Sequence, residues 1–359
     1  MSNKMIEEYI KKIRHISEKL PYEKIPLMEV CGTHTMAISK SGIRDILPEK
    51  IKLISGPGCP VCVTSQSDID RMIGIADRDD VIITTFGDMI RVPGSSRKSL
   101  ERKKGDGADI RIVYSPVQAV DIAEKNPQKK VVFLAVGFET TVPAIAGAVM
   151  EAEKKKVSNF ALYPANKVIP PAMKALVMDR QVGVKGFICP GHVSVITGSK
   201  IYEFLAGEYG IPCVIAGFEP VDILISIYKL LLQLYEKRSE VEIEYSPWVK
   251  PEGNGKARDI TYKIFKSCHA RWRGLGTIED SGLTLKEEFS HRDATNLFGS
   301  EMPDVPEPAG CRCGEVIKGL IRPCECELFR HVCTPVNPVG PCMVSTEGSC
   351  SVYYKYSEE

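Results

Sequence analysis

Cys59-Pro-Val-Cys62 stands in a Gly-Pro-Gly turn that leads into a helix-forming segment. At a helix start the backbone amides and the helix dipole favour thiolate over thiol. Two thiols three residues apart can also close to a disulfide, so a two-electron step is available there, the alternative being a buried structural pair. Cys31-Gly-Thr-His34 offers a thiolate and an imidazole, a combination suited to iron or zinc. Two ligands do not complete a site, but Cys59 and Cys62 are expected on the adjacent strand end. Cys189-Pro-Gly-His192 adds another imidazole, and its Pro-Gly turn predicts an exposed strand end with His192 in a cleft. Glu139 and Glu219 each follow a Gly-Phe step. Such a carboxylate either favours a helix N-terminus, worth about 0.3–1 kcal/mol, or lines a cleft as an acid or hydrogen-bond acceptor. Seven of the thirteen cysteines fall between Cys311 and Cys350, as Cys311-x-Cys313, Cys324-x-Cys326, Cys333, Cys342 and Cys350 with prolines between them. In a reducing compartment that concentration points to metal or redox chemistry rather than a disulfide framework. Proline-bent, thiolate-rich loops wrap either an iron–sulfur cluster or structural zinc, and seven cysteines exceed the four either needs.

A repeated unit must position these groups: a short β-rich apolar run, a loop carrying the unusual residues, then a segment of helical period. The runs begin near Leu27, Ile51, Val81, Ile110, Val131, Phe160, Gly186 and Pro212, at spacings of 21 to 30 residues. This is the period of βαβ units, which build parallel sheets covered by helices. Ser67 is expected to cap one helix, Ser115-Pro116 to form the N-cap and N1 of another, and Pro220 to open a third. Ile6, Tyr9, Ile10, Ile13 and Leu20 lie on one stripe of an N-terminal docking helix. Eight units allow one (β/α)8 barrel or two four-stranded halves. The shortest interval, between the runs at Ile110 and Val131, favours two Rossmann-like parallel-sheet α/β domains divided near residue 128. Expected boundaries are therefore 1–128, with the Cys31 and Cys59/Cys62 loops, and 129–240. A third, irregular cysteine-rich region, 241–359, follows through turn-rich 245–255 and the Pro-rich connector 302–310. Ligands of open α/β sheets bind beyond the carboxyl ends of the strands, where almost every unusual residue of this chain falls.

With 47 Lys+Arg against 46 Asp+Glu, the net charge is +1, which gives no electrostatic case for nucleic acid or an acidic membrane surface. Apolar runs such as Val131 to Val136 fall far short of the roughly 18 residues of a membrane span. Lys4, Glu7, Glu8, Lys11, Lys12 and Arg14 leave no apolar signal-peptide stretch in the first twenty residues, so a cytoplasmic protein is expected. Arg97, Lys98 and Arg102 to Lys104 read as a solvated basic loop.

Six ordered motifs resemble the HypD family of [NiFe]-hydrogenase maturation factors: Met28-Glu-Val-Cys-Gly-Thr-His-Thr35, Ser55-Gly-Pro-Gly-Cys-Pro-Val-Cys-Val-Thr64, Gly137-Phe-Glu-Thr-Thr141, Pro190-Gly-His-Val-Ser194, Trp272-Arg-Gly-Leu-Gly276 and Cys333-Thr-Pro335. The likeness runs on through Pro341-Cys-Met-Val-Ser-Thr-Glu-Gly-Ser-Cys350, so it covers nearly the whole chain. It implies two similar α/β domains, a [4Fe-4S] cluster in the third region, and a cleft in which an iron atom gains cyanide and carbon monoxide. The family's cluster spacing C-x14-C-x6-C-x16-C falls on Cys311, Cys326, Cys333 and Cys350. The implied function is an assembly scaffold for an Fe(CN)2CO fragment, working with the small chaperone HypC, receiving cyanide through HypE supplied by HypF, and serving the hydrogenase large subunit. In that reading Cys31 is an iron ligand, with Cys59 and Cys62 at the same iron site and able to pass electrons, His34 and His192 orient the diatomic ligands, and Glu139 lines the cleft. The rival is a stand-alone disulfide reductase resembling ferredoxin:thioredoxin reductase.

Overall fold

The computed structural model describes residues 2–299 and 305–357; positions 302–304 of the Pro-rich connector lie outside the described residues. All eight apolar runs form strands: β1 (Ile25–Glu29), β2 (Ile51–Ser55), β3 (Val81–Thr85), β4 (Ile110–Ile112), β5 (Lys130–Ala135), β6 (Phe160–Pro164), β7 (Gly186–Pro190) and β8 (Cys213–Ala216). The α/β class with parallel sheets and a separate cysteine-rich region holds. One sheet has the order β2-β1-β7-β8-β9, where β9 is Val241–Ile243, and the other has β4-β3-β5-β6. Every pairing within both is parallel. Strands such as β3 and β5 are buried almost throughout, as parallel strands with both faces covered must be.

Sheet membership does not follow the division at residue 128. The chain lays down β1 and β2, builds the whole second sheet from β3 to β6, and then returns to the first sheet for β7, β8 and β9. The short interval near residue 128 is only the turn between helix Pro116–Lys125 and β5. Apolar periodicity encodes which segments are strands and helices; it carries no record of which strands become neighbours. The two Gly-Phe-Glu turns consequently fall one in each sheet, after β5 and after β8.

Local signals act as their chemistry dictates. The Ser115 hydroxyl accepts from the Val117 amide at 3.3 Å, with Pro116 at the first helical position. Glu219 and Asp222 form a capping box at the start of helix Pro220–Glu236. Helix Gln66–Ile75 is capped by Ser65, not by Ser67, because Ser65-Gln-Ser-Asp68 has the Ser-x-x-acid spacing that returns a hydroxyl to the Asp68 amide, at 3.1 Å. Helix Ser2–Lys19 docks on Pro220–Glu236, burying Ile13, Ile16 and Leu20 and setting the Tyr9 ring edge-on to Tyr228.

Beyond β9 the chain forms an antiparallel hairpin, β10 (Phe265–Trp272) and β11 (Gly276–Leu285), with Trp272-Arg-Gly-Leu-Gly276 as its turn. The cysteine-rich region packs short helical turns, Cys313–Ile317, Pro323–Glu325, Pro341–Met343 and Ser349–Tyr356, against the first sheet and the Cys59/Cys62 segment. No helix among the described residues is long and apolar enough to cross a membrane.

Candidate functional site

Cys31 and the Cys59/Cys62 turn leave adjacent strands, β1 and β2, at their carboxyl ends. The Gly32 amide donates to the Gly58 carbonyl at 3.0 Å and the Gly56 amide to the Glu29 carbonyl at 2.8 Å, which locks the two loops together. A Cβ on Gly58 would sit 2.3 Å from the Cys31 amide nitrogen, so only glycine allows this approach. Gly58→Ala should therefore cost about 1–3 kcal/mol in urea denaturation. Gly74→Ala, with nothing within 4 Å of the new Cβ and in the last turn of helix Gln66–Ile75, should instead gain up to ~1 kcal/mol. Equal effects would show that the loop contact is not limiting.

Cys59 is the N-cap of helix Pro60–Val63, its sulfur accepts from the Cys62 amide at 3.2 Å, and it is joined to Cys62 as a disulfide. Cys31, the N-cap of helix Gly32–Lys40, is buried. Burial pushes its thiol up to about 12, against the pull of the His34 amide and with the nearby Glu347 and Glu29 carboxylates adding to the rise. Without a cation Cys31 is a thiol at neutral pH, so a metal binding there must displace a proton.

The surrounding groups hold that geometry. Glu29, fully buried, accepts from the Cys31 amide at 3.2 Å and from the Thr35 hydroxyl at 2.6 Å. Glu347 accepts from the Thr33 hydroxyl at 2.8 Å, and its charge is felt by both Cys31 and His192. His34 is fully buried and donates through Nε2 to the Gly217 carbonyl at 2.9 Å, so its Nδ1 carries the free lone pair, buried without a partner. Burial brings His34 down to about 4 and keeps it neutral. His192 is exposed, and both imidazoles stack on Phe218, with centroids 4.9 Å from it for His34 and 4.0 Å for His192. Phe218 therefore ties together two histidines that are 158 positions apart in the sequence.

Glu139 sits elsewhere. One oxygen accepts from the Ile169 amide at 2.8 Å, at the start of helix Ile169–Met178, and the other is buried without a partner. Burial raises it to about 7 from an ordinary 4.5. The folded carboxyl keeps its proton where the unfolded chain has already lost it. Its stabilising contribution is therefore complete below pH 4.5 and lost as pH rises through about 7. Glu139→Gln should remove on the order of 3 kcal/mol of the stability lost between pH 5 and pH 8 in urea denaturation; an unchanged loss in the variant would contradict this.

A small cavity, of about 20 Å³, opens in the C-terminal region and is lined by Cys311, Cys313, Cys326, Cys333, Cys342 and Cys350 among apolar side chains such as Leu328 and Phe329. The four cysteines implied by the family spacing are all there, joined by Cys313 and Cys342, whereas Cys324 is not in the lining. The thiols run in contact from Cys311 to Cys313, to Cys342, to Cys350. Among the described residues no three or more His, Cys, Asp or Glu side chains are grouped to hold a metal ion. A [4Fe-4S] cluster needs a different arrangement, one thiolate per iron around a cage, and a lining with six cysteines supplies thiols enough for that chemistry. Arg273 also fits: it is buried, it bonds the Thr64 carbonyl and Gln66, its Nη1 is buried without an acceptor, and its charge opposes the rise that contact with neighbouring thiols and burial impose on the Cys311 and Cys313 thiols. Cys342 further lines a small cavity with Cys59 and Cys62, so the thiol cage and the disulfide share a wall. Glu29, Glu347 and Arg273 escape sequence reasoning because their roles depend on contacts between distant segments; the motif stretches containing them are the only linear signal.

These features define a thiol-rich α/β protein in which the loop of a buried cysteine is locked onto a disulfide turn, and that turn shares a wall with a cysteine-lined cavity. The chain belongs to the HypD family, described as "Hydrogenase formation hypA family", whose model matches residues 4–357. It is 45% identical to the putative hydrogenase expression/formation protein of Methanocaldococcus jannaschii, over 98% of this chain and 97% of that protein. It is 42% identical to the hydrogenase maturation factor HypD of Cupriavidus necator, over 95% and 92%. Against the HypD of Azotobacter vinelandii it is 41% identical, over 96% and 93%.

Proposed function

We propose that the protein is a hydrogenase maturation factor that holds an iron atom while its cyanide and carbon monoxide ligands are installed, as a scaffold with a HypC-like chaperone, cyanide arriving through HypE and HypF, for delivery toward the hydrogenase large subunit. The observation that carries this reading is the locking of the Cys31 loop onto the Cys59/Cys62 turn through the Gly32–Gly58 hydrogen bond. That contact sets a soft donor beside a two-electron couple.

Iron bearing strong-field diatomics is a soft cargo suited to a thiolate. Cys31 supplies the sulfur, giving up its proton on binding. Glu29 orients the Cys31 backbone, while the neutral His34, with its free Nδ1, and the exposed His192 flank Phe218 near the cargo. A [4Fe-4S] cluster held by Cys311, Cys326, Cys333 and Cys350 would supply single electrons. Cys59 and Cys62 take up two electrons and two protons as their S–S bond opens to two thiols, and return them when it closes. The shared wall at Cys342 keeps that couple next to the cysteine cage.

Deleting the gene in a host with a [NiFe] hydrogenase and no other member of the family should leave the large subunit without its iron-cyanide-carbonyl centre. Re-expression of the wild-type chain should restore it. A large subunit with a complete centre in the deletion strain would overturn the proposal.

A further inference from the structure

The carboxyl end of the second sheet holds a cavity that the chemistry above does not use. Its volume is about 310 Å³, and it lies where the Pro164–Lys167 loop leaves β6, walled by the start of helix Gln66–Ile75 and covered by β10. Open α/β sheets bind ligands at such strand ends, and small-molecule pockets begin at about 300 Å³.

Lys167 lines this cavity although only 3% of it is exposed. Its ammonium makes no hydrogen bond or ion pair among the described residues; it lies 5.8 Å from the centroid of the Trp272 ring. The carboxylate whose charge reaches it, Asp68, is already engaged: one oxygen accepts from the Tyr163 hydroxyl at 2.9 Å and the other from the Ser65 hydroxyl at 2.6 Å. A buried charge without a partner is costly, and burial draws the Lys167 pKa down. One further buried donor in the same wall, Arg71 Nε, lacks a partner. Lys167 and Arg71 against Asp68 leave this part of the lining with an excess of positive charge. The positive end of helix Gln66–Ile75 adds to it.

We propose that this cavity is a binding site for a small oxyanion, a carboxylate or a phosphate, with the Lys167 ammonium as its main counter-charge and Arg71 beside it. The oxyanion supplies acceptors that the protein itself leaves out, and the enclosure of Lys167 makes the pairing stronger than one at the surface.

Calorimetric titration of the full chain, with inorganic phosphate and separately with succinate, tests this. Saturable binding of at least one is expected, weakened about tenfold or more by Lys167→Met, as for loss of a buried charged partner. Phosphate binding alone assigns the site to phosphate, and succinate binding alone to carboxylate. Should the variant lose its native near-ultraviolet circular dichroism, the wild-type chain still decides: the binding anion should slow reductive methylation of Lys167, read by peptide mass spectrometry against an exposed lysine. The proposal is overturned by no saturable binding of either anion up to about 10 mM, by equal affinity in a folded Lys167→Met variant, or by unchanged methylation of Lys167.

Discussion

Cys31→Ser is expected to abolish the infrared bands of metal-bound cyanide and carbonyl in protein purified with its small partner, while the chain stays folded. Cys31 is buried among groups that hold its thiol up near 12, so its sulfur becomes anionic only when a metal takes the place of the proton. A serine oxygen is harder and far less acidic, and it cannot make that exchange for a soft iron. The fold should tolerate the change because the position is the N-cap of helix Gly32–Lys40, where serine is among the preferred residues; a stability change within about 1 kcal/mol is expected. Full bands in the variant would remove Cys31 as the anchor and move that role to Cys59 and Cys62.

Cys326→Ala or Cys333→Ala should bleach the protein. Anaerobically purified wild-type chain is expected to be brown, with about four iron and four sulfide per molecule. Each of these cysteines faces the shared cavity, and Cys333 also accepts from the Val339 amide at 3.4 Å, so its loss loosens a region that has little other core. Cys324→Ala, outside the lining, should keep the colour. A colourless wild-type protein with stoichiometric zinc after anaerobic reconstitution would replace the cluster with a structural zinc site.

Strands and motif loops were legible because apolar runs at βαβ spacing and Gly-Pro or Gly-Phe turns are local signals, and each falls at a strand or its carboxyl end. The interleaving of the two sheets was not legible: β2 and β7 both pair with β1, but the intervening 130 residues leave no periodic trace of it. Hairpin β10–β11 escaped because Phe-Lys-Ser-Cys-His-Ala-Arg-Trp carries polar residues along a largely exposed strand. Of the site, the thiols and imidazoles stood out by type. Glu347 did not, since it meets Thr33 across 314 positions. Lys167 looks like any loop lysine until β10 closes over it.

The central claim is that this chain carries an iron fragment rather than reducing a free disulfide substrate, and infrared spectroscopy of the anaerobic protein copurified with its HypC-like partner tests it most directly. Metal-bound cyanide and carbonyl bands that follow the protein are the result expected. A spectrum without those bands, together with sustained reduction of a thioredoxin-like protein by the same preparation, would contradict it.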